Sequence, residues 1–436
     1  MPRSLLLLFL SAAMAAMAAA QFTPAPGSCS QAHCDSQLSD QGTLAPPLLI
    51  TKTTYDQTGG ANIGLGCSTN NALFACTFQT VPSLVVYDPV GARICTSGNE
   101  LDTQAYHSAP ALDTSGKLVL GDSSHVVMFD ATNVTGGLCA VRWRSAALNG
   151  SPVSILFDPP NSLAMAATTT GWIYSISTVD GHTVAAASMS DSGHNYLTTN
   201  TPCVQGSKIF IVTQRNGGPV SDGRIFGFNT TDLTAAIGFP VAVTGPSFAS
   251  PVCYGGWVIT DDATPAAIWI GQANGTPAAW SPVVLPAPAI ASFALDLRNP
   301  ASVWIAMSNT GFLRQQQVGN GASLGTLAMF DANGIGSVPA SALTIVGPPS
   351  NPYLIAGLAG GGKTSATMFD LTTKTPVWTV YADSGCNGQF PVLNTATHNV
   401  VAFTSKTGGA YFASGPSASS TIRGGVTIRG GAATVR

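Results

Sequence analysis

A unit of four short apolar runs, separated by turn residues, recurs along most of this chain. Its clearest copy extends from Ser108 to Trp143, where Gly, Ser, Thr and Asp separate runs of the kind that form strands. The first runs of successive copies are centred near Leu65, Pro110, Ile155, Pro202, Pro251, Phe293, Pro352 and Pro391. A period of roughly 40 to 50 residues is typical of repeated supersecondary units. The pattern predicts eight four-stranded antiparallel meanders.

A single meander of this kind cannot bury both of its faces. When meanders pack radially, each one covers the face of its neighbour, and only short outer edges stay open. We therefore predict an all-β chain, an eight-bladed β-propeller of four-stranded antiparallel blades. Seven blades is the alternative, because the sixth unit is long and the seventh is short. The last unit has three strands, so the apolar segment Leu48–Thr54 is predicted to complete the blade that contains Val400–Ser405.

Several third runs end in an aromatic residue followed by Asp or Asn, as at Phe129-Asp130, and tryptophans follow at Trp143 and Trp378. Together with Phe369–Trp378, these residues resemble the PQQ-like repeat of quinoprotein alcohol dehydrogenase-like propellers, over about residues 48–415. The resemblance implies a propeller in which such tryptophans dock between blades. Catalytic members use a Glu among their calcium ligands, and many carry adjacent cysteines. Here Glu100 is the only Glu, it lies in a loop, and no Cys-Cys pair occurs. The resemblance therefore favours the non-catalytic branch, with no cofactor.

The chain divides into four segments. Residues 1–20 have the charged start at Arg3, the apolar run and the small Ala18–Ala20 site of a signal peptide. Residues 21–47 are predicted to be an irregular, cysteine-containing lead-in outside the ring. Residues 48–415 form the propeller, and residues 416–436 a disordered Gly/Arg-rich tail. No later stretch has the pattern of a membrane span, so we expect a secreted, extracellular protein. Charged residues make up 8% and the net charge is −3, which argues against nucleic-acid binding.

Disulfides and glycosylation are expected in an exported chain. The nine cysteines are an odd number, so at least one is unpaired or bonded to another molecule. Cys67 and Cys76 flank an Asn-Asn turn at hairpin spacing, and we predict a disulfide between them. Cys203 and Cys253 occupy equivalent positions in neighbouring units, and we predict two buried thiols that are not bonded to each other. N-glycosylation sequons begin at Asn133, Asn149, Asn229 and Asn274.

Polar side chains gather in the loops between the second and third strands of a unit and in the links between units. These loops share one end of a propeller, which we call the rim. The predicted ligand-binding residues on the rim are Asp122, His125, His194, Arg215, Asp261, Asp262 and Asn387. We place Asp261 and Asp262 in a turn, where ordinary solvation is the alternative to ligand binding. The sequence shows no nucleophile elbow, and we predict no catalytic residue and no metal site.

The function predicted from these features is a non-enzymatic one. We expect a secreted, glycosylated propeller that acts as a binding or scaffold protein, with a glycan, a wall polymer or another secreted protein as its partner. The alternative is an extracellular enzyme, either a quinone-dependent oxidoreductase or a carbohydrate-active enzyme. A third interpretation is a structural glycoprotein that assembles through its tails and an unpaired cysteine.

Overall fold

The fold is that of a computed structural model, which describes residues 22–57, 63–102, 109–198, 200–219, 222–243, 249–263, 266–290, 292–298, 300–308 and 310–417. These residues form β-strands and one short 3-10 helix, Pro159–Asn161. The strands make eight successive four-stranded antiparallel blades. The segment predicted as a signal peptide and most of the predicted tail lie outside the described residues.

Blades 1 to 4 occupy the first half of the ring. Blade 1 contains β2 (Gly64–Thr69), β3 (Phe74–Phe78), β4 (Leu84–Tyr87) and β5 (Arg93–Thr96). Blade 2 contains β6 (Ala111–Leu112), β7 (Lys117–Asp122), β8 (His125–Thr135) and β9 (Leu138–Arg144). Blade 3 contains β10 (Pro152–Asp158), β11 (Leu163–Thr168), β12 (Trp172–Ser177) and β13 (Thr183–Ser188). The hairpin β14 (Ser190–Asp191) and β15 (His194–Leu197) precedes blade 4, which contains β16 (Cys203–Gln205), β17 (Lys208–Arg215), β18 (Gly223–Asn229) and β19 (Val241–Val243).

Blades 5 to 8 complete the ring. Blade 5 contains β20 (Val252–Tyr254), β21 (Trp257–Ala263), β22 (Ala266–Gln272) and β23 (Val283–Val284). Blade 6 contains β24 (Ala294–Asp296), β25 (Ser302–Ala306), β26 (Phe312–Gln317) and β27 (Ser323–Ala328). Blade 7 contains β28 (Val338–Val346), β29 (Tyr353–Gly360), β30 (Lys363–Asp370) and β31 (Thr375–Ala382). Blade 8 contains β33 (Val392–Asn394), β34 (His398–Ser405), β35 (Gly409–Pro416) and β1 (Lys52–Gln57), and β32 (Cys386–Asn387) also pairs with β34.

The burial of the strands follows their place in a blade. Middle strands such as β11 (LAMAAT) are buried along their whole length, because the neighbouring blades cover both of their faces. The outer strand β13 (TVAAAS) is largely exposed and alternates with half-buried positions. The largest fully buried side chains, which include Trp304, Tyr196 and Phe293, pack between blades rather than in one central core.

The ring closes as the sequence predicts. Strand β1 pairs antiparallel with β35, from Lys52 opposite Ser414 to Gln57 opposite Gly409. Because β35 in turn pairs with β34, the N-terminal strand completes the last blade. The strand begins at Lys52, whereas the prediction placed its start at Leu48, a residue that is 51% exposed.

The seventh unit differs from the prediction in its first strand. Pro352 precedes the second strand of blade 7, β29, and the first strand is β28. In several other blades the first strand follows a proline at the start of an apolar run, and Pro352-Tyr353 has the same pattern before a second strand. Counted from Leu343 in β28, the sixth and seventh repeats have nearly equal lengths, which removes the reason for the seven-blade alternative.

Tryptophan docking between blades, which the family resemblance implies, occurs at Trp143. Its indole Nε1 donates a hydrogen bond to the Thr178 carbonyl of blade 3 at 3.2 Å. Trp378 in blade 7 instead donates to the Pro47 carbonyl of the lead-in at 2.8 Å. The repeat tryptophans therefore tie a blade to whichever chain segment flanks it.

The lead-in lies inside the ring, so the prediction that it lies outside is wrong. Residues 22–47, which we call the plug, hydrogen-bond to all eight blades in order around the axis. The backbone amides of the inner strands donate to successive plug acceptors: Thr69 to Cys29 O (2.8 Å), Leu112 to Ser30 O (2.6 Å), Phe157 to Gln31 Oε1 (3.0 Å), Val204 to Ser36 O (2.6 Å), Cys253 to Gln37 O (2.9 Å), Leu295 to Ser39 O (2.8 Å) and Ile345 to Asp40 O (2.7 Å). From blade 8, Gln389 Nε2 donates to Gln31 O at 2.8 Å.

The physical reason for this placement is the unpaired inner edge of each blade. An inner strand pairs with the second strand on one side only, so its other backbone groups face the axis and need partners. A segment in irregular conformation can turn to meet eight radial edges, which no regular strand or helix can do. His33, Cys34, Leu38 and Asp40 all have positive φ angles, and they bend the plug into that path.

Candidate functional site

The predicted ligand-binding residues lie at one end of the ring but in different blades. Asp122 and His125 flank the hairpin between β7 and β8 in blade 2, and Arg215 ends β17 in blade 4. His194 lies in the link before blade 4, and Asn387 in the link before the inner strand of blade 8. Of the seven, Asp122 and His125 come together, because they are register partners across the β7–β8 hairpin. His194 lies two residues before Tyr196, which is the register partner of Arg215.

Asp122 holds the rim of blade 2 together. Its Oδ1 accepts hydrogen bonds from the Asp102 and Ser123 amides at 2.7 and 2.9 Å, and its Oδ2 pairs with Arg144 at 2.6 Å. The side chain is almost completely buried. Its neighbour His125 is half-buried, and its Nδ1 lies 3.2 Å from Ser124 Oγ. Asp122 therefore stabilises the loops of blade 2 at the rim, and His125 is the one of the two that a ligand can reach more easily.

Asp261 and Asn387 are also engaged by the fold. Asp261 lies in strand β21 opposite Ile268, not in a turn, and it is 1% exposed. Its Oδ1 accepts the Ala249 amide at 3.1 Å, so the carboxylate is directed to a backbone group of the link before blade 5. Asp262 follows in the same strand, and its side chain lies outside the described residues. The Nδ2 of Asn387 donates to Gly64 O at 2.7 Å and thereby connects blade 8 to blade 1.

Blade 4 carries a cluster of charged side chains on the rim. Arg224 lies between two carboxylates, at 2.7 Å from Asp222 and 2.9 Å from Asp191, and Arg215 contacts Asp222 at 3.2 Å. The hydroxyl of Tyr196 donates to Asp222 at 3.2 Å, and the Arg224 guanidinium stands 5.2 Å from the centroid of the same tyrosine ring. We call these five residues the blade 4 cluster.

The electrostatics of the cluster keep its carboxylates ionised. The hydrogen bond from Arg224 lowers the pKa of Asp191. Burial opposes ionisation of Asp222, but hydrogen bonds from Arg215 and Tyr196 and the charges of both arginines outweigh it and lower its pKa as well. A carboxylate with a lowered pKa is a poor proton acceptor, so the cluster is suited to polar recognition and not to general-base chemistry.

A pocket of about 350 Å³ adjoins the cluster. It is lined by the link residues Leu197, Thr198 and Asn200 and by the segment from Val212 to Gly218, which includes Arg215. The lining is rich in hydroxyl, amide and guanidinium groups. Such a surface can hold a polar ligand by hydrogen bonds.

Arg215 is the one member of this cluster among the predicted ligand-binding residues; Asp191, Tyr196, Asp222 and Arg224 were not among them. The signal that could have found them is the hairpin itself, because residues near both ends of the β17–β18 loop must face each other. Arg215, Asp222 and Arg224 lie within ten positions of the chain, and two arginines so close to one carboxylate indicate an ion-pair network.

The structure contains four disulfides. Cys67–Cys76 links β2 to β3 as the hairpin spacing predicts, and Cys95–Cys139 links the outer strands of blades 1 and 2. Cys29–Cys34 closes a small loop in the plug. Cys386 is free and buried, and burial raises the pKa of its thiol to about 12.

The prediction for Cys203 and Cys253 is wrong, because these residues form the fourth disulfide. They lie at equivalent positions of the inner strands β16 and β20. The inner strands converge toward the axis, which brings the two Cα atoms to 5.9 Å, within the usual range for a disulfide. Equivalent orientation does not keep side chains apart where neighbouring strands are this close.

The four sequons differ in accessibility. Asn133, Asn149 and Asn274 are exposed, whereas Asn229 is half-buried and its Nδ2 donates to Thr234 Oγ1 at 2.7 Å. Glycosylation at each site stays a prediction, and Asn229 is the site with the least access.

The described residues show neither a membrane-spanning helix nor a metal-binding group. In that part of the chain no helix is long and apolar enough to cross a bilayer. Across the same residues, no three His, Cys, Asp or Glu side chains are grouped so that they could hold a metal ion.

Comparison with known proteins identifies the fold but not a family. No protein-family model and no curated protein matches the chain. Among solved structures, the Dos1 propeller is similar, with a TM-score of 0.60 and 10% identity over 87% of this chain and 95% of that one. The chain is a β-propeller.

Two other structures agree with this propeller fold. BamB from Moraxella catarrhalis matches with a TM-score of 0.53 and 13% identity, over 84% of this chain and 99% of that one. The computationally designed Ika8 protein matches with a TM-score of 0.59 and 12% identity, over 85% and 99%. Identities this low support the fold alone, so the PQQ-like resemblance stays a prediction.

Proposed function

We propose that this propeller is a secreted, glycosylated binding or scaffold protein that holds a glycan, a wall polymer or another secreted protein at its rim. The observation that carries the proposal is the pocket beside the blade 4 cluster. Its polar groups are fixed by ion pairs and by the β17–β18 hairpin, so they are preorganised for hydrogen bonding. The four disulfides fit an oxidising, extracellular compartment.

The plug supports the scaffold part of the proposal. It accepts hydrogen bonds from the inner strands of blades 1 to 7 and from Gln389 in the link before the inner strand of blade 8, and thus supports the ring that carries the rim loops. Recognition by a surface of this kind needs no movement of the blades. The PQQ-like resemblance of the sequence favours the non-catalytic branch and so supports a binding role over an enzymatic one.

The test is a binding screen with the mature, oxidised protein against immobilised glycans and against secreted proteins. Arg215→Ala and His194→Ala should weaken the interaction that the screen finds by about tenfold or more, since each 1.4 kcal/mol of lost contact corresponds to tenfold. Thr114→Ala, at an exposed position in a hairpin at the other end of the ring, is the matched control. Equal losses from both ends would place the site elsewhere. Turnover of a quinone-reducible dye or of a polysaccharide would support the enzyme alternative.

A further inference from the structure

A shallow groove of about 400 Å³ lies between blades 4 and 5, at the end of the ring opposite the rim. It is formed by the β20–β21 turn and by the turn after β22, which join first to second and third to fourth strands and therefore lie at that end. We call this surface the Asn274 groove, and its lining residues are Lys208, Gly255, Gly256, Trp257, Gln272, Ala273 and Asn274.

Asn274 is both a lining residue of this groove and the first residue of a glycosylation sequon. Its side chain is exposed, and its Oδ1 accepts a hydrogen bond from the Thr276 amide at 3.0 Å. That bond uses the oxygen of the side-chain amide and not Nδ2, the atom to which a glycan is attached. In the sequon of Asn229, by contrast, Nδ2 donates to Thr234. The fold therefore leaves the attachment atom of Asn274 available.

The turn that carries the sequon is held in place by backbone hydrogen bonds. The Gln272 amide donates to the Thr276 carbonyl at 2.8 Å, which closes the turn. The Ala273 amide donates to the Gly256 carbonyl at 2.7 Å, which ties the turn to the β20–β21 loop. A glycan on Asn274 therefore starts from a fixed point at the edge of the groove, and its first sugar stays close to the lining.

Trp257 supplies an aromatic surface next to that point. It is the register partner of Gln272 in the β21–β22 pair, so the indole lies beside the turn that carries Asn274. Part of the ring packs on the apolar cluster between blades 5 and 6, where Trp280 lies 6.5 Å away between ring centroids. The residue is only half-buried, so the remainder of the ring is open to the groove. A sugar ring packs its C–H face on such a surface.

Polar groups flank the indole. The side chain of Gln272 is exposed, and its amide can both donate and accept hydrogen bonds. On the blade 4 side, the Lys208 ammonium group donates to the Ala273 carbonyl at 3.4 Å, a long bond that leaves its other two protons for further acceptors. These groups match the hydroxyls and the acetamide at the edge of an N-acetylated sugar. The groove therefore combines a surface suited to such a sugar with an atom that can tether one.

We propose that Asn274 carries an N-linked glycan whose first N-acetylglucosamine residue occupies the Asn274 groove and packs on Trp257. This inference rests on the proposed function, which includes glycosylation, and it specifies the site and the contact of the glycan. In the modification, Nδ2 of Asn274 bonds to C1 of the first sugar of a lipid-linked diphosphate donor. The C1–O bond to the diphosphate breaks, the diphosphate leaves with the electron pair, and Nδ2 loses one proton. The glycan covers the end of the ring opposite the rim, so it leaves the blade 4 cluster open to a partner.

The test uses the full chain, secreted by a eukaryotic host that attaches N-glycans. Mass spectrometry of glycopeptides should show that Asn274 is occupied. Peptide N-glycosidase then releases glycans from the folded, oxidised protein, and the rate is measured separately at Asn274 and at the exposed Asn133 in blade 2. Trp257→Ala should accelerate release at Asn274 by about three- to tenfold, the factor that one aromatic contact provides, and leave the rate at Asn133 unchanged.

A second variant and a matched control accompany this measurement. Gln272→Ala, at an exposed position, should accelerate release at Asn274 by about two- to tenfold, because it removes one hydrogen-bonding group. It keeps the test valid if Trp257→Ala does not fold, which circular dichroism verifies. Trp172→Ala removes a half-buried tryptophan of blade 3 and should leave both rates unchanged.

Three results would overturn the inference. An unoccupied Asn274 in a protein whose other sequons carry glycans would refute the site and leave glycosylation and binding at the rim intact. Equal release rates at Asn274 in the wild type, Trp257→Ala and Gln272→Ala would refute the packing of the sugar in the groove. Absence of glycans from all four sequons would refute the glycosylated part of the proposed function as well, whereas the binding screen with Arg215→Ala tests the rim independently.

Discussion

The plug contains a buried ion pair whose loss should destabilise the whole ring. His33 Nδ1 lies 2.9 Å from Asp40 Oδ2, with side-chain exposures of 17% and 0%. The other oxygen of Asp40, Oδ1, already has no partner in the described part of the chain. His33→Gly tolerates the positive φ of this position and removes the imidazole that reaches Asp40. The carboxylate would then be buried with neither oxygen paired.

Breaking a buried ion pair by removing one partner costs about 3–5 kcal/mol. We expect His33→Gly to lower the free energy of unfolding by that amount at pH 7, measured by urea titration with the disulfides intact. The chain offers a matched control, because His182 Nδ1 pairs with Asp180 at 2.6 Å but both side chains are about 60% exposed. His182→Gly should lower the free energy of unfolding by less than about 1 kcal/mol. Similar losses in the two variants would refute the assignment of His33–Asp40 as a stabilising buried pair.

The same pair sets the direction of the pH dependence. Burial by itself would lower the pKa of His33, but the charge and hydrogen bond of Asp40, with a contribution from Asp35, raise it above 6.5. Burial raises the pKa of Asp35 and Asp40 as well. Groups with a raised pKa bind protons more tightly in the folded state, so their stabilisation is present at low pH and is lost as pH rises. For His33 the loss begins near pH 6.5, so the free energy of unfolding should fall as the pH rises above 6.5.

Two further predictions concern contacts between blades. Peptide mapping under non-reducing conditions should link Cys203 to Cys253, and Cys203→Ser should cost about 2–4 kcal/mol in the unfolding free energy; a map that shows two free thiols would contradict the structure. Gly388→Ala should lower the free energy of unfolding by about 1–3 kcal/mol more than Gly362→Ala. Both glycines have positive φ angles, but only the new Cβ at 388 meets a backbone atom, Gly66 Cα, at 2.7 Å. Equal thermal shifts in the two variants would show that blades 8 and 1 separate easily at this point.

The sequence alone predicts the eight blades and the closure of the ring, because the features that indicate them are local. Apolar runs, turn residues and the unmatched strand before the first unit predict the blades and their closure without any knowledge of long-range contacts. The one misplaced strand, at Pro352, shows the limit of that approach, since a second strand can carry the proline and aromatic residue that mark a first strand elsewhere.

The contacts along the axis could not be predicted in the same way. The plug has no periodic pattern, and its partners are backbone amides, which have no sequence signature. The Cys203–Cys253 bond depends on the convergence of inner strands, and the burial of Asp261 depends on where β21 ends. Each of these features depends on the distance between blades, which cannot be predicted from the sequence of a single blade.

The plug also determines when the protein can finish folding during synthesis. The acceptors at residues 29–40 leave the ribosome first, yet their donors emerge one blade at a time. The last, on Gln389, lies 358 positions after its partner Gln31. Contacts of such separation in sequence make folding slow. Until Gln389 is synthesised, the plug lacks one of its hydrogen bonds to the blades. A chain that ends before its final blade lacks both this bond and β35, the strand that pairs with β1.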